Sequence, residues 1–592
     1  MSKKALPFLA LTAAAVAALA QVPNPFDGKT WWTHVEALAS DAMEGRETGS
    51  PGLARAEAYI VDQLMQAGLQ PAGEKGGYYQ TVRLESRQLV ESDSSAALVR
   101  DGHTEPVRLG EEAIFSTRVD LAPEVEAPLV FLGYGLRVPE KQHDDLAGLD
   151  LSGKVAVVFS GAPDTIPGPL AAHYQTTGER WKALHAAGAV GVVGIPNPAA
   201  MDVPWSRIAL NRLHPSMELA DPVFDETAGE RLAMVWNPAA AERLFAGSGH
   251  TFAEIAALGR ERKPLPRFPL AVSIRAKTHL RTQPVESANV VAALPGSDPA
   301  LKQEYVVLSA HADHIGIGEP IAGDRIYNGA MDNASGCAVL LDVAASLRRS
   351  PRPLHRSLLF LFATGEEKGL LGSRYFAHYP TVPIASMVAD VNVDMFLPLF
   401  PLKLLTVWGI DESDLGDLAR QTAATRGVRV QADPEPQRNV FIRSDQYNFI
   451  RRGVPALMMG VAPDSDAERK TFTDWLTHRY HAPSDDLAQP VDLQAATGYE
   501  AIVRDLMVAV ADDPRRPEWK ADSFFRRFAG ANTTTDAGSH PGSGRFAGVS
   551  GRPAPADSRV HLAGQPARLR VRRQPGRQEE APPEEAAALS QH

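Results

Sequence analysis

Apolar residues in the second half of the chain form short continuous runs, and longer stretches with helical spacing separate them. The runs predict strands at 289–294, 305–310, 357–363, 387–393, 404–408 and 454–460. The helical spacing falls in 336–348, 369–378, 415–425 and 494–511. Near-continuous apolar strands that alternate with helices predict an α/β domain with a mostly parallel mixed sheet and helices on both faces.

The first half of the chain has a different pattern. Helical spacing covers 31–69, whereas 95–280 holds short β-rich segments, such as 128–132 and 154–159, separated by Gly and Pro. At 592 residues the chain is too long for one ordinary domain. We therefore expect a β-rich α/β domain at 95–280, inserted into a discontinuous main domain at 21–94 and 281–515.

The two ends of the chain predict processing and disorder. Lys3 and Lys4, the apolar stretch 6–19 and the small residues Ala18 and Ala20 are typical of a signal peptide at 1–20. Cleavage there predicts a periplasmic or extracellular protein without a stable membrane anchor. The segment 516–592 is poor in large aliphatic residues and rich in Gly, Pro, Arg and Ala, which predicts a disordered tail.

The amino-acid composition argues against some classes of function. The formal net charge of −11 argues against a general nucleic-acid binder. The single cysteine, Cys337, excludes an internal disulfide framework and a zinc site made of several thiolates. The oligomeric state is not legible from the sequence.

Candidate metal ligands lie at the ends of the predicted strands. Four acidic or imidazole residues come at or just after an apolar run: His311, Glu366, Glu367 and Asp394. Asp332 and His481 would come from connecting loops. Because ligands bind at the carboxyl ends of strands in open α/β sheets, these side chains can converge although they are far apart in sequence.

Two imidazoles and three carboxylates without sulfur suit Zn²⁺, with Co²⁺ or Mn²⁺ as substitutes. A bridging carboxylate would hold two such cations side by side. Glu366 directly precedes a ligand and is free to act as a base. Adjacent strand residues point to opposite faces, so a turn must begin at Glu366, and Gly365 and Gly369 make one plausible. The sequence predicts hydrolysis by a metal-activated water.

The motifs AHADH, GAMDNASG, ATGEEKGLLGS, NVDM and YHAPSDD resemble those of the M28 family of co-catalytic zinc peptidases. The resemblance implies peptide substrates and two zinc ions, one held by His311 and Asp394, the other by Glu367 and His481. It implies a bridging Asp332, followed by a cis peptide, and Glu366 as general acid/base.

Supporting roles are implied in the same way. Asp313 would orient a ligating imidazole, and Tyr480 would bind the developing oxyanion. The motifs GYGL, DLSGKVAVVFSG and AAGAVGVV resemble an inserted protease-associated (PA) domain. Gln446 stands where many relatives carry His, so a substrate contact there is in doubt. His314 has no matching partner, and a supporting role for it stays open.

The leading interpretation is an exported two-zinc aminopeptidase whose metal-bridging water is activated by Glu366. A carboxypeptidase of the glutamate carboxypeptidase II type stays open, but it needs a basic residue near the substrate carboxylate that the sequence cannot place. A glutaminyl cyclase fits one metal better than two. The non-enzyme alternative is a binding protein that keeps the peptidase fold, as the transferrin receptor does.

Overall fold

The computed structural model describes residues 24–201 and 203–532. The predicted signal peptide at 1–20 and the predicted tail beyond 532 lie outside the described residues. Among the helices of the described part, none is both long and apolar enough to cross a membrane.

A large sheet of ten strands carries the predicted α/β pattern. In spatial order its strands are Ser216–Leu219, Tyr79–Leu89, Leu280–Leu294, Ser357–Ala363, Tyr305–His311, Met387–Asn392, Ala456–Val461, Leu404–Trp408 and Arg429–Gln431, with Gln70–Pro71 paired to Leu280–Leu294. The four strands from Ser357–Ala363 to Ala456–Val461 in this order pair in parallel. Antiparallel strands flank them on both sides. The α/β fold class is confirmed, with the parallel strands at the centre of a mixed sheet.

Both faces of this sheet are covered, as continuous apolar strands require. Val306 and Leu308 point into the core that contains the longer helices. Val307, between them, points to the opposite face and packs with Phe376 and Phe449. The helices of the main domain are Lys29–Leu38, Pro51–Ala67, Ser335–Arg348, Leu371–His378, Asp414–Thr425, Gln446–Ile450, Asp466–His478 and Leu493–Asp512.

A second sheet of eight strands lies within residues 95–277. Its strands are, in spatial order, His103–Val107, Ser95–Arg100, Phe268–Lys277, Glu124–Phe131, Val155–Phe159, Gly191–Ile195, Leu232–Trp236 and Ala113–Phe115. Helices in this region are Gly168–Gln175, Thr177–Ala186, Trp205–Ile208, Glu242–Phe245 and Phe252–Arg260. We call residues 95–280 the insert, and we propose that it is a separate PA-like domain because it has its own sheet and apolar core.

Two details differ from the sequence expectation. The strand Ser216–Leu219 belongs to the insert by sequence but pairs with Tyr79–Leu89 in the large sheet. Residues 516–532 were predicted to be disordered but are folded onto the domain, where Trp519 and Phe525 are buried in the core against one face of the large sheet. Four aromatic residues in a short stretch, Trp519, Phe524, Phe525 and Phe528, provide the apolar area that holds residues 516–532 on the domain.

Candidate active site

The candidate ligands lie where the parallel strands end. His311 is the last residue of Tyr305–His311, and Glu366 and Glu367 follow Ser357–Ala363 in the neighbouring strand. Asp394 comes two residues after Met387–Asn392, on the other side of the His311 strand. Parallel ladders bring these ends to one edge of the sheet, where ligands bind in this architecture.

Asp332 lies in the loop segment Ala330–Ala334, before the helix Ser335–Arg348. The Asp485 carboxylate accepts hydrogen bonds from the backbone N–H groups of Met331 and Asp332, both at 3.0 Å. The Asn333 side chain donates to the carbonyl of Val393, next to Asp394, at 2.9 Å. The peptide between Asp332 and Asn333 is cis. These contacts fix the Asp332 carboxylate at the centre of the cluster.

Each oxygen of the Asp332 carboxylate faces a different imidazole. Oδ1 lies 3.2 Å from His311 Nε2, which is also 3.4 Å from Asp394 Oδ1. Oδ2 lies 3.3 Å from His481 Nε2, which is also 3.2 Å from Glu367 Oε2. Two ligands of one tetrahedral zinc, each bonded at ~2.0–2.1 Å, stand about 3.3 Å apart. Both groups have the spacing of a ligand set, and they share Asp332.

His314 is also within reach of the second group. Its Nδ1 lies 2.6 Å from Glu367 Oε1 and 3.9 Å from Asp332 Oδ2. The shorter distance is that of a charge-assisted hydrogen bond and is too short for two ligands of one ion. We therefore interpret His314 as a donor that fixes Glu367 so that its other oxygen, Oε2, faces His481.

The predicted turn at the Glu366–Glu367 pair is present. Gly365 adopts the left-handed conformation with φ 67°, and the Glu366 carbonyl accepts hydrogen bonds from the N–H groups of Gly369 and Leu370. Glu366 Oε2 lies 4.0 Å from His311 Nε2. Burial, together with the nearby carboxylates of Asp394 and Glu367, raises the pKa of Glu366 well above its usual range.

Asp313 connects three parts of the site. Its carboxylate accepts hydrogen bonds from Thr48 Oγ1 at 2.8 Å and from the backbone N–H of Glu366 at 3.1 Å. His311 Nδ1 is 3.1 Å from the Asp313 carbonyl oxygen and 3.9 Å from its carboxylate. The backbone of Asp313 therefore contacts the imidazole more closely than its side chain does, and the carboxylate instead holds the turn that carries Glu366.

Arg46 is a residue whose importance the sequence did not reveal. It is fully buried, and its guanidinium donates to four backbone carbonyls at 2.6–2.9 Å, those of Leu38, Ala312, Asn328 and Gly329. These carbonyls belong to the loop after His311, the loop before Asp332 and the end of the first helix. Arg46 thus connects the loop after His311 to the loop before Asp332. Nothing in its motif, EGRETGS, indicates a buried charge.

The loop that carries Tyr480 and His481 is held by the insert. Arg207 donates hydrogen bonds to the carbonyls of Tyr480 and Thr477. His481 adopts a left-handed backbone with φ 54°, a conformation that is uncommon for a residue with a side chain. Burial raises the pKa of Tyr480 to about 12, so its hydroxyl is protonated and can donate a hydrogen bond.

A cavity of about 440 Å³ opens beside Asp394 and Tyr480. Its apolar lining comes chiefly from large side chains: Met395, Leu397, Met458, Phe472 and Leu476. Ala199, Ala200 and Met201 of the insert complete the wall. The cavity can accept a large apolar group next to the candidate metal ligands.

Residues 289–507, which contain all seven candidate catalytic and metal-binding positions, match the sequence model of peptidase family M28. The chain contains an M28 peptidase domain. The family resemblance and the enzyme class drawn from the motifs, a peptidase, are confirmed.

The chain is similar to several solved structures. The aminopeptidase from Aneurinibacillus sp. strain AM-1 is 18% identical, with 83% of this chain and 95% of that chain covered and a TM-score of 0.50. BSAP, a zinc aminopeptidase from Bacillus subtilis, is 16% identical, with 83% and 97% covered and a TM-score of 0.45. The glutaminyl cyclase of Porphyromonas gingivalis is 18% identical, with 38% and 78% covered and a TM-score of 0.30.

Gln446 lies in the core of the M28 domain. It is fully buried, accepts a hydrogen bond from Asn392 and donates one to the Phe441 carbonyl, both at 2.8 Å. The doubt about a substrate contact at this position is therefore settled in favour of a structural role.

His314 should affect the affinity for zinc through its hydrogen bond to Glu367. We expect His314→Leu to weaken zinc binding by about 10- to 100-fold, because Glu367 loses the hydrogen bond that orients it. His314→Asn should recover most of the affinity, since its amide can donate to the same oxygen. Competition with a chromophoric chelator measures this. If His314 were instead a ligand, His314→Leu would lower the number of bound ions and His314→Asn would not restore it.

Proposed function

We propose that the protein is a two-zinc aminopeptidase that releases N-terminal residues from peptides. The observation that carries the proposal is the Asp332 carboxylate, whose two oxygens each face a separate imidazole and carboxylate, at 3.2 and 3.3 Å from the imidazole nitrogens. His311 and Asp394 would hold one ion, Glu367 and His481 the other, and Asp332 both. The donor set contains nitrogen and oxygen but no sulfur, which fits zinc with an open position.

Zinc bound there would act as a Lewis acid that lowers the pKa of water and polarises a carbonyl. Glu366 would take a proton from the attacking water and pass it to the leaving amine as the C–N bond breaks. The protonated hydroxyl of Tyr480 would donate a hydrogen bond to the carbonyl oxygen as negative charge develops on it.

Two features support action at the N-terminus. The cavity beside Asp394 is lined by apolar side chains, by five carboxylates and by three arginines; the charged residues are Asp332, Glu366, Asp394, Asp433, Glu435, Arg438, Arg443 and Arg469. A cationic α-amine is attracted to these carboxylates, and an apolar side chain next to it enters the cavity. The N-terminal residue of a peptide has both groups on one carbon atom.

A carboxypeptidase is the second candidate, because the structure supplies the basic residue that the sequence could not place. Arg118 of the insert donates a hydrogen bond to the backbone carbonyl of Glu367 at 3.2 Å. A guanidinium at this position is near enough to the catalytic turn to bind a substrate carboxylate. The two candidates differ in which terminus of the peptide must be free.

Peptides with blocked ends separate the two candidates. We expect zinc-loaded protein to cleave Leu-Ala and Leu-Ala-amide but not N-acetyl-Leu-Ala, because acetylation removes the charged amine. Cleavage of the acetylated peptide at a comparable rate would instead establish the carboxypeptidase. Failure to cleave all three, after zinc binding has been verified, would contradict a peptidase with this specificity.

Export is part of the proposal. The segment 1–20, with Lys3, Lys4 and the apolar stretch after them, supports a cleaved signal peptide. N-terminal sequencing of protein recovered from the periplasm or the medium should begin near Gln21. Protein retained in the cytoplasm with Met1 intact would contradict export.

A further inference from the structure

A second cavity, of about 490 Å³, shares Glu366, Arg443, Tyr480 and His481 with the cavity beside Asp394. Its charged lining consists of five cations and four carboxylates: Arg118, Lys368, Arg374, Arg443, Arg451, Glu218, Glu226, Glu366 and Glu367. The two cavities therefore meet at the proposed base, so a peptide lying across Glu366 would extend into both. The group on the leaving side of the scissile bond would lie among these cationic side chains.

Four of these cations already have interaction partners. Arg443 is one of them, Lys368 pairs with Glu47 at 3.1 Å, and Arg374 and Arg451 pair with Glu226 at 3.4 and 2.5 Å. Arg118 differs, because no carboxylate of the described residues lies within 4.0 Å of its guanidinium. Glu218 also lines this cavity, and burial raises its pKa to about 7 although the charge of Arg118 lowers it.

Arg118 reaches the catalytic turn from the insert. Its Nη2 donates to the carbonyl of Glu367, and a side chain at Gly369 would stand 3.4 Å from its Nη1. The side chain is exposed to the cavity. A guanidinium has five N–H donors in a planar fork, and a single hydrogen bond to a carbonyl leaves the others for a ligand. Carboxylates are the group that this fork binds most strongly, through two parallel hydrogen bonds.

We propose that Arg118 binds the C-terminal carboxylate of the substrate and that the enzyme prefers dipeptides. The proposal rests on the proposed function and names the substrate class of the same site. In a dipeptide the carboxylate lies one residue beyond the scissile bond, and each further residue moves it ~3.3–3.6 Å away. Because Arg118 contacts the residue next to Glu366, the shortest substrates place their carboxylate nearest to it. The insert then contributes substrate recognition to the active site.

The test compares Leu-Ala with Leu-Ala-amide in the zinc-loaded full chain. We expect wild-type kcat/KM to be about 10- to 100-fold higher for the free acid, which is the effect of a charge-assisted hydrogen bond. In Arg118→Ala this ratio should fall close to one, chiefly through KM. Arg118→Lys should give an intermediate ratio, because an ammonium keeps the charge but not the fork. Arg260→Ala, on an exposed insert residue that lines neither cavity, should keep the wild-type ratio.

The outcomes separate this inference from the function on which it rests. If wild type cleaves both substrates with equal kcat/KM, Arg118 does not bind the substrate carboxylate, although the proposed aminopeptidase function still holds. If Arg118→Ala slows both substrates by the same factor, Arg118 only anchors the insert to the catalytic turn, and the inference is again wrong. If zinc-loaded wild type cleaves neither substrate, the proposed function and the inference are both wrong.

Discussion

Glu366→Gln should lower kcat by about 10³-fold while zinc content and fold stay unchanged. Glu366 belongs to neither ligand group, since its closest imidazole contact is 4.0 Å, to His311 Nε2. The amide of glutamine has nearly the same shape but cannot accept the proton of the attacking water. Steady-state hydrolysis of Leu-Ala, with metal analysis of the same sample, measures the effect.

Glu367→Gln is the matched control, because it changes the same group on the next residue. We expect it to lose one zinc ion per chain, since Glu367 Oε2 faces His481 Nε2 at 3.2 Å in the second ligand group. The pair of variants thus separates proton transfer from metal binding. A Glu366→Gln enzyme with the wild-type kcat would remove Glu366 from the mechanism.

Asp332→Ala should have the largest effect on metal binding. Asp332 is buried and is the residue common to both ligand groups. Its removal takes one ligand from each ion and removes a negative charge that offsets the charge of the two cations. We expect zinc content to fall from two ions to at most one per chain, with activity near background. Metal analysis after dialysis against a weak chelator gives the stoichiometry.

A substitution at a buried aspartate outside the ligand groups provides the control for Asp332. Asp342 lies on the helix Ser335–Arg348 and is also buried, but it belongs to neither ligand group. Asp342→Asn should keep both ions and most of the activity. Two ions retained by folded Asp332→Ala would contradict the bridging role.

The sequence predicted the fold of the main domain well because its strands are buried on both faces. The run Ser357–Ala363 is apolar throughout and lies inside the parallel part of the sheet, and the predicted strand had these same bounds. The candidate ligands could be placed for the same reason, since a polar residue that ends such a run stands out. The turn after Gly365 could be predicted because adjacent residues in a strand point to opposite faces, whereas Glu366 and Glu367 were both expected in the site.

The groups that support the site could not be predicted, because their roles depend on contacts across long distances in sequence. Arg46 contacts carbonyls more than 260 residues away, and nothing in the EGRETGS motif indicates burial of its charge. Arg118 and Arg207 act on the site from the insert, whose arrangement against the main domain has no local sequence signal. The prediction of disorder was wrong for residues 516–532, because a few clustered aromatics near Trp519 hold them on the domain despite their polar composition.

A crystal structure of the zinc-loaded protein, with anomalous scattering measured at the zinc edge, would test the two-zinc site directly. We expect two peaks, one between His311 and Asp394 and the other between Glu367 and His481, with the Asp332 carboxylate bonded to both. A single peak, or a second peak bound by residues outside these two groups, would contradict the two-zinc site.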